Sequence, residues 1–111
     1  MKIIEETKKH IEIINKPVSW IGSEDREFAL TKTNFFKLKE EEYDAGYGSQ
    51  EIATDLIIVF KDGSHSNRYE YDGSESWEHH ELKNPTFPKN AKPFTKVRMM
   101  MWQQLGEQEW K

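Results

Sequence analysis

From residue 3 onward the apolar positions recur at helical spacing. Ile3, Ile4, Thr7, Ile11 and Ile14 fall within roughly a 100° arc of a helical wheel. Glu5, Glu6, Lys8, Lys9 and Glu12 take the wet side, and Pro17 cannot continue a helix. The spacing therefore predicts a helix over residues 3–14, with Ile13 off its stripe. Residues 18–21 and 27–39 read as short strands, the second interrupted at 31–34 and so divisible into two strands with a turn. Residues 45–49 form a loop by composition. Their two glycines are followed by no Gly-Lys-Ser or Gly-Lys-Thr, so they make no phosphate cradle.

The spacing then shortens to strands. Leu56-Ile-Ile-Val-Phe60 is a continuous apolar run, and His65 to Tyr71 alternates, with Tyr69 and Tyr71 on one face and Arg68 and Glu70 on the other. Asp62-Gly63 between them predicts a hairpin with positive φ at both central residues. Asp72-Gly73 repeats the device and leads into a third strand at 77–82, completing a meander. Residues 84–93 hold three prolines and read as a connector. Beyond it Phe94, Val97, Met101 and Leu105 cluster within roughly an 80° arc, which suggests a helix from Pro93 to Gly106. The alternation Thr95, Val97, Met99, Met101 fits a strand nearly as well, but Met, Gln and Leu favour the helix. The expected fold is α+β: an antiparallel sheet of four or five strands, with N-terminal and C-terminal helices packed on one face.

Composition narrows the class. The 111 residues make a single domain, 1–111, and the longest apolar run is only Leu56–Phe60, too short for a membrane helix. Mean hydropathy is −0.92, yet aromatic content of 13% supplies enough large side chains for a small core. No cysteine is present, which excludes disulfides, thiolate zinc sites and thiol catalysis. Lys2-Ile-Ile-Glu-Glu6 offers no apolar core of a secretory signal, so the expected location is the cytoplasm.

Charge is unevenly distributed within the net −4. Residues 82–106 contain Lys83, Lys89, Lys92, Lys96 and Arg98 and no acid. Residues 70–81 contain Glu70, Asp72, Glu75, Glu78 and Glu81 and no base, interleaved with Tyr71 and Trp77. An acidic face carrying aromatics competes for a basic protein surface, including a nucleic-acid-binding groove. Glu70, Asp72, Glu75, Trp77, Glu78 and Glu81 are therefore the expected partner-binding residues. The alternative is direct nucleic-acid binding by Lys89, Lys92, Lys96 and Arg98, with Phe87, Phe94 or Trp102 stacking on bases. A third reading, a structural or assembly subunit, would use Met99 to Met101 and the tryptophans for self-association.

Catalytic chemistry finds little purchase. His79-His80 between Glu78 and Glu81 faintly resembles the histidine pair of the ββα-metal nucleases, but residues 82–106 lack the second His or Asp that this metal site needs. Adjacent strand residues also point to opposite faces, so the two histidines cannot easily share one ion. His10 sits among Lys8, Lys9 and Glu12 and reads as solvated. With no nucleophile–base set, no metal set and no cofactor motif, the expectation is a protein that is not an enzyme.

Residues 56–64, Leu-Ile-Ile-Val-Phe-Lys-Asp-Gly-Ser, and 69–78, Tyr-Glu-Tyr-Asp-Gly-Ser-Glu-Ser-Trp-Glu, resemble small proteins carried by phages and mobile elements of Gram-positive bacteria. In size and acidity the chain is similar to type II-A anti-CRISPR proteins, which inhibit Cas9. That resemblance implies an inhibitor that binds the nuclease or blocks its guide RNA or target DNA. It carries over no individual functional residue.

Overall fold

The computed structural model describes residues 2–43, 52–71, 74–81, 85–99 and 103–107. Helix α1 spans Ile3–Ile14 and buries Ile3, Thr7 and Ile11, as the stripe requires. Lys2 provides no side-chain cap. The cap comes instead from Glu40, whose carboxylate accepts the N–H groups of Ile4 at 2.8 Å and Glu5 at 2.9 Å. A negative group at a helix start satisfies orphan donors and the helix dipole together. At the other end Asn15 adopts φ 57° and returns its N–H to the Ile11 carbonyl, a left-handed stop before Pro17.

Strands β1 (Val18–Ser23), β2 (Ala29–Leu30), β3 (Leu56–Phe60), β4 (His65–Tyr71) and β5 (Ser74–His80) form one antiparallel sheet in the order β2-β1-β3-β4-β5. The meander is present, with its third strand at Ser74–His80 rather than 77–82, and the fold is α+β. The interrupted segment 27–39 is not two strands. Thr31 accepts the N–H of Asn34 through its side chain and starts a single helical turn, α2 (Lys32–Phe35), which buries Phe35.

Both faces of the sheet are covered at its centre, so every residue of β3 is buried. On one face α1 closes the main core over Ile21, Ile58, Phe60 and Trp77. On the other a smaller cluster of Trp20, Ala29, Ile57 and Val59 packs against Ala91 of the proline-rich connector. That connector also ties down the β2 edge: Lys92 donates to the Glu27 carbonyl at 2.7 Å and accepts from Ala29 at 3.0 Å. Arg26 reaches the Thr86 carbonyl at 2.7 Å while lying 5.3 Å over the Trp20 ring.

The expected C-terminal helix is not formed at 93–99. Phe94 and Val97 are buried, but Arg98 bridges antiparallel to Ile52, and Ala53 donates to the Val97 carbonyl at 2.7 Å. The Val97 carbonyl and the Arg98 N–H, which donates to Glu41 at 3.1 Å, are thus paired non-locally rather than in a helical ladder. One 3₁₀ turn, Leu105–Glu107, follows, with the Leu105 N–H on Asp55 at 2.9 Å. Residues 45–49, Asp72, Gly73, Leu82, Met100, Met101, Trp102 and Trp110 lie outside the described residues.

The β3–β4 turn also departs from expectation. Gly63 has φ 91°, but Asp62 is not left-handed. Gly63 donates to the Phe60 carbonyl at 3.1 Å and Phe60 donates to Ser64 at 2.9 Å, closing a three-residue loop with a glycine bulge. Asp62 instead accepts from the Ser64 backbone at 2.9 Å and from Lys16 at 2.7 Å. Gly63→Val should therefore cost about 1–3 kcal/mol, because only Gly63 carries the positive φ. Urea unfolding of the two proteins measures it; equal midpoints would remove the turn from this account.

Candidate functional site

Strand alternation sends Ser66 and Arg68 of β4, and Glu75, Trp77 and His79 of β5, toward α1. Arg68 is wholly buried. Its Nη1 contacts Glu6 of α1 at 3.2 Å, and its Nη2 contacts Glu75 at 2.9 Å and the Tyr43 hydroxyl at 3.0 Å. The guanidinium also lies 4.9 Å over the Trp77 ring and 5.4 Å over the Tyr43 ring. Tyr43 donates its hydroxyl proton to Glu6, and Glu75 accepts the Ile52 N–H at 3.1 Å. Burial works against the Arg68 charge, but Glu6, Tyr43 and Glu75 outweigh it and push its pKa up. Burial foremost also holds the Tyr43 phenol well above its usual range.

A second set lies beside the first. Ser66, fully buried, stands between two imidazoles, 2.7 Å from His10 Nε2 and 3.0 Å from His79 Nδ1. One hydroxyl proton allows Ser66 to donate to one ring while accepting from the other. His10 stacks on Trp77 with centroids 6.0 Å apart, and Trp77 donates its indole N–H to Thr7 at 3.1 Å. Burial, then His79 and Arg68, lower the His10 pKa from the usual 6.5 to about 4. His79 is lowered too, by burial first and then by Lys16. His10 is thus not the solvated residue that its charged neighbours suggest.

Both histidines bind protons less readily folded than unfolded. Stability should therefore be full above pH 6.5 and fall as the pH drops toward 4. Melting temperatures across that window should decline less for His10→Gln than for the wild type; an identical slope would show that His10 stays hydrated.

Above these groups runs a groove of about 350 Å³ between α1 and β5, lined by Lys2, Glu5, Glu6, Lys9, His10, Ile13, Ser76 and Trp77. Ile13 is 80% exposed on its wall. Register explains why the groove is flanked by open backbone. The three-residue turn makes Phe60 and Ser64 a hydrogen-bonded pair, and alternation then directs the backbone of Asn67 and Tyr69 toward Glu78 and Ser76. The N–H and C=O groups of Trp77 and His79 point away from β4, where no described strand pairs with them.

The sequence-derived acidic set does not share a face. Glu75 is buried on Arg68, Trp77 is core, and Glu70 stands opposite Glu75 on the helix side. Glu78 is on the other face, 2.5 Å from His80, and Glu81 is exposed past the strand end. Asp72 lies outside the described residues. A surface formed by all six is therefore ruled out by the two-residue period of β5. Of the basic set, Lys89, Lys92, Lys96 and Arg98 are all exposed, with the Lys92 backbone bridged to Phe28 and the Arg98 backbone to Ile52. Phe94 is 1% exposed and cannot stack on a base; Phe87 is 38% exposed.

No protein-family model matches the chain, and neither a curated protein nor a solved structure is similar to it. No described helix is long and apolar enough to cross a membrane. The side chains overlooked in the sequence are Glu6, His10, Tyr43, Ser66 and Arg68. Only the shared parity of Ser66 and Arg68 marked them, and parity does not say which face is inside.

Proposed function

We propose that the protein acts by binding another protein, as a non-enzymatic inhibitor of a nucleic-acid-handling partner, with Cas9 or its guide-RNA complex the partner that the resemblance implies. The observation carrying this reading is the contrast between the two sheet edges. The β2 edge is bonded to Lys92, whereas among the described residues β5 is left open beside a groove. Natural sheets usually cover or blunt such an edge, and an open one is a template for a partner. The lone serine–histidine cluster among the described residues is centred on Ser66, which no substrate can reach, and this supports a binding role over a hydrolytic one. Direct nucleic-acid binding draws less support, because Phe94 is withdrawn into the core.

Adding the protein to Cas9 before or after guide RNA should inhibit cleavage in at least one order, with a complex visible by gel filtration. Full cleavage in both orders and no complex would sink the Cas9 version. Mass spectrometry of proteins retained from the host would then test the wider reading. Reversing the exposed acids Glu78 and Glu81 to Lys should slow association with a basic partner about tenfold at low salt and less at high salt. Unchanged association would remove charge from the account.

A further inference from the structure

The geometry points to the α1–β5 groove as the seat of a sixth strand, supplied by an extended segment of a partner that alternates large apolar with basic side chains. The inference deepens the protein-binding reading and rests on it. Trp77 and His79 present outward N–H and C=O groups at strand spacing, unpaired with any described strand, which an extended backbone would match in sequence. A strand laid there would run beside α1, where Glu6, His10 and Ile13 line the groove. Its helix-side residues would meet exposed Ile13, the His10 ring held neutral by burial, and the edge of Trp77.

Charge selects what enters. Glu5 is paired with Lys9 at 3.3 Å, and Glu6 with Arg68, so the carboxylates along the groove already have their cations. An entering cation would therefore be desolvated without a counter-ion, and a large apolar side chain is preferred to it. On the opposite face the same strand would pass Glu78, which is partly exposed and holds His80, and Glu81 beyond it. Lys or Arg at the alternate positions complements those acids.

A second copy of this chain is the poorer occupant. Pairing β5 with itself would offer the groove Glu75, Trp77 and His79, and each is already bonded within its own core, to Arg68, Thr7 and Ser66. None is free to fill a neighbour's groove. The donated strand must bring helix-side side chains that are not already buried.

The test uses the full chain labelled with ¹⁵N and the peptide Thr-Lys-Phe-Lys-Val-Lys-Thr at millimolar concentration. The control is a peptide of the same composition with its alternation broken. The alternating peptide should slow amide exchange at Trp77 and His79 about tenfold, with shifts along residues 9–13, and the scrambled peptide should not. Ile13→Asp, at a site too exposed to affect folding, should abolish the protection. Equal effects from both peptides, no protection at Trp77 and His79, or protection unaltered in Ile13→Asp would each overturn the inference. Protection that grows with protein concentration in the absence of peptide would overturn it in favour of self-pairing. The outcome is separable from the broader reading. A Cas9 complex or other defined complex indifferent to Ile13→Asp refutes the sixth strand and leaves protein binding standing, whereas absence of any complex refutes protein binding.

Discussion

Arg68→Ala should destabilise the domain by about 3–5 kcal/mol, because it leaves two carboxylates in the core without their cation. Glu75 has a side chain 1% exposed and Glu6 one 12% exposed, so neither can turn to water without opening the α1–β5 contact. The loss also removes a donor to Tyr43 and the cation stacked on Trp77. For a chain of this size total stability is about 5–15 kcal/mol, so the variant should sit near the edge of folding at 37 °C. Urea denaturation followed by tryptophan fluorescence measures the cost. A companion variant separates pairing from packing: Arg68→Met with Glu6→Gln and Glu75→Gln removes all three charges while keeping volume, and should recover most of the stability. A cost below about 1 kcal/mol for Arg68→Ala would mean that water reaches the network. The same residue underlies the groove, since Arg68 holds Glu6 against it.

Gly22→Ala should cost about 3 kcal/mol or more, the upper range for forcing an atom into a packed site. Gly22 pairs with Ala29 across β1 and β2. A Cβ there would sit 1.9 Å from the Phe28 carbonyl oxygen and 2.7 Å from the Ala29 Cα. Both are backbone atoms, so no rotamer change relieves the clash, and β2 must part from β1. Parting would free Phe28 and break the Ser23–Phe28 backbone bond of 2.9 Å. It would also release the connector that covers Trp20, because Lys92 is bonded to Glu27 and Ala29. The expected result is loss of stability together with faster amide exchange at Ala29 and Lys92. Wild-type exchange at these two amides in Gly22→Ala would contradict the account. Groove binding at the opposite edge should survive in any fraction that remains folded.

These two positions show where reading the chain stops short. Arg68 sits in a strand whose alternation is plain, yet the alternation sorts residues into two sets without naming the inner one. The tyrosine set, Tyr69 and Tyr71, looks the more apolar. Tyr69 is nevertheless 41% exposed, and the set with Ser66 and Arg68 is inside. The choice was made by α1, which brings Glu6, Thr7 and His10 to that face and so supplies partners for polar groups. Gly22 likewise carries no signal of its own, since its constraint comes from Phe28 across a turn.

Local spacing alone determined the boundaries of α1, the buried run of β3, and the presence of a meander, because each depends on neighbours within a few residues. The same locality misled at 93–105, where a helical arc and a strand alternation coexist. A backbone bond from Ala53 to Val97 and a bridge from Ile52 to Arg98 settled residues 93–99 as non-helical. Only the tertiary structure could divide residues 70–81 into core and surface, turning Glu75 and Trp77 inward and leaving Glu78 and Glu81 outside. Only it could cap α1 with Glu40 and close one sheet edge while, among the described residues, leaving the other unpaired. The physical reason is common to all of them: hydrophobic period is written within an element, whereas partner, cap and edge are set by groups 20 or more residues away that meet only when the chain has folded.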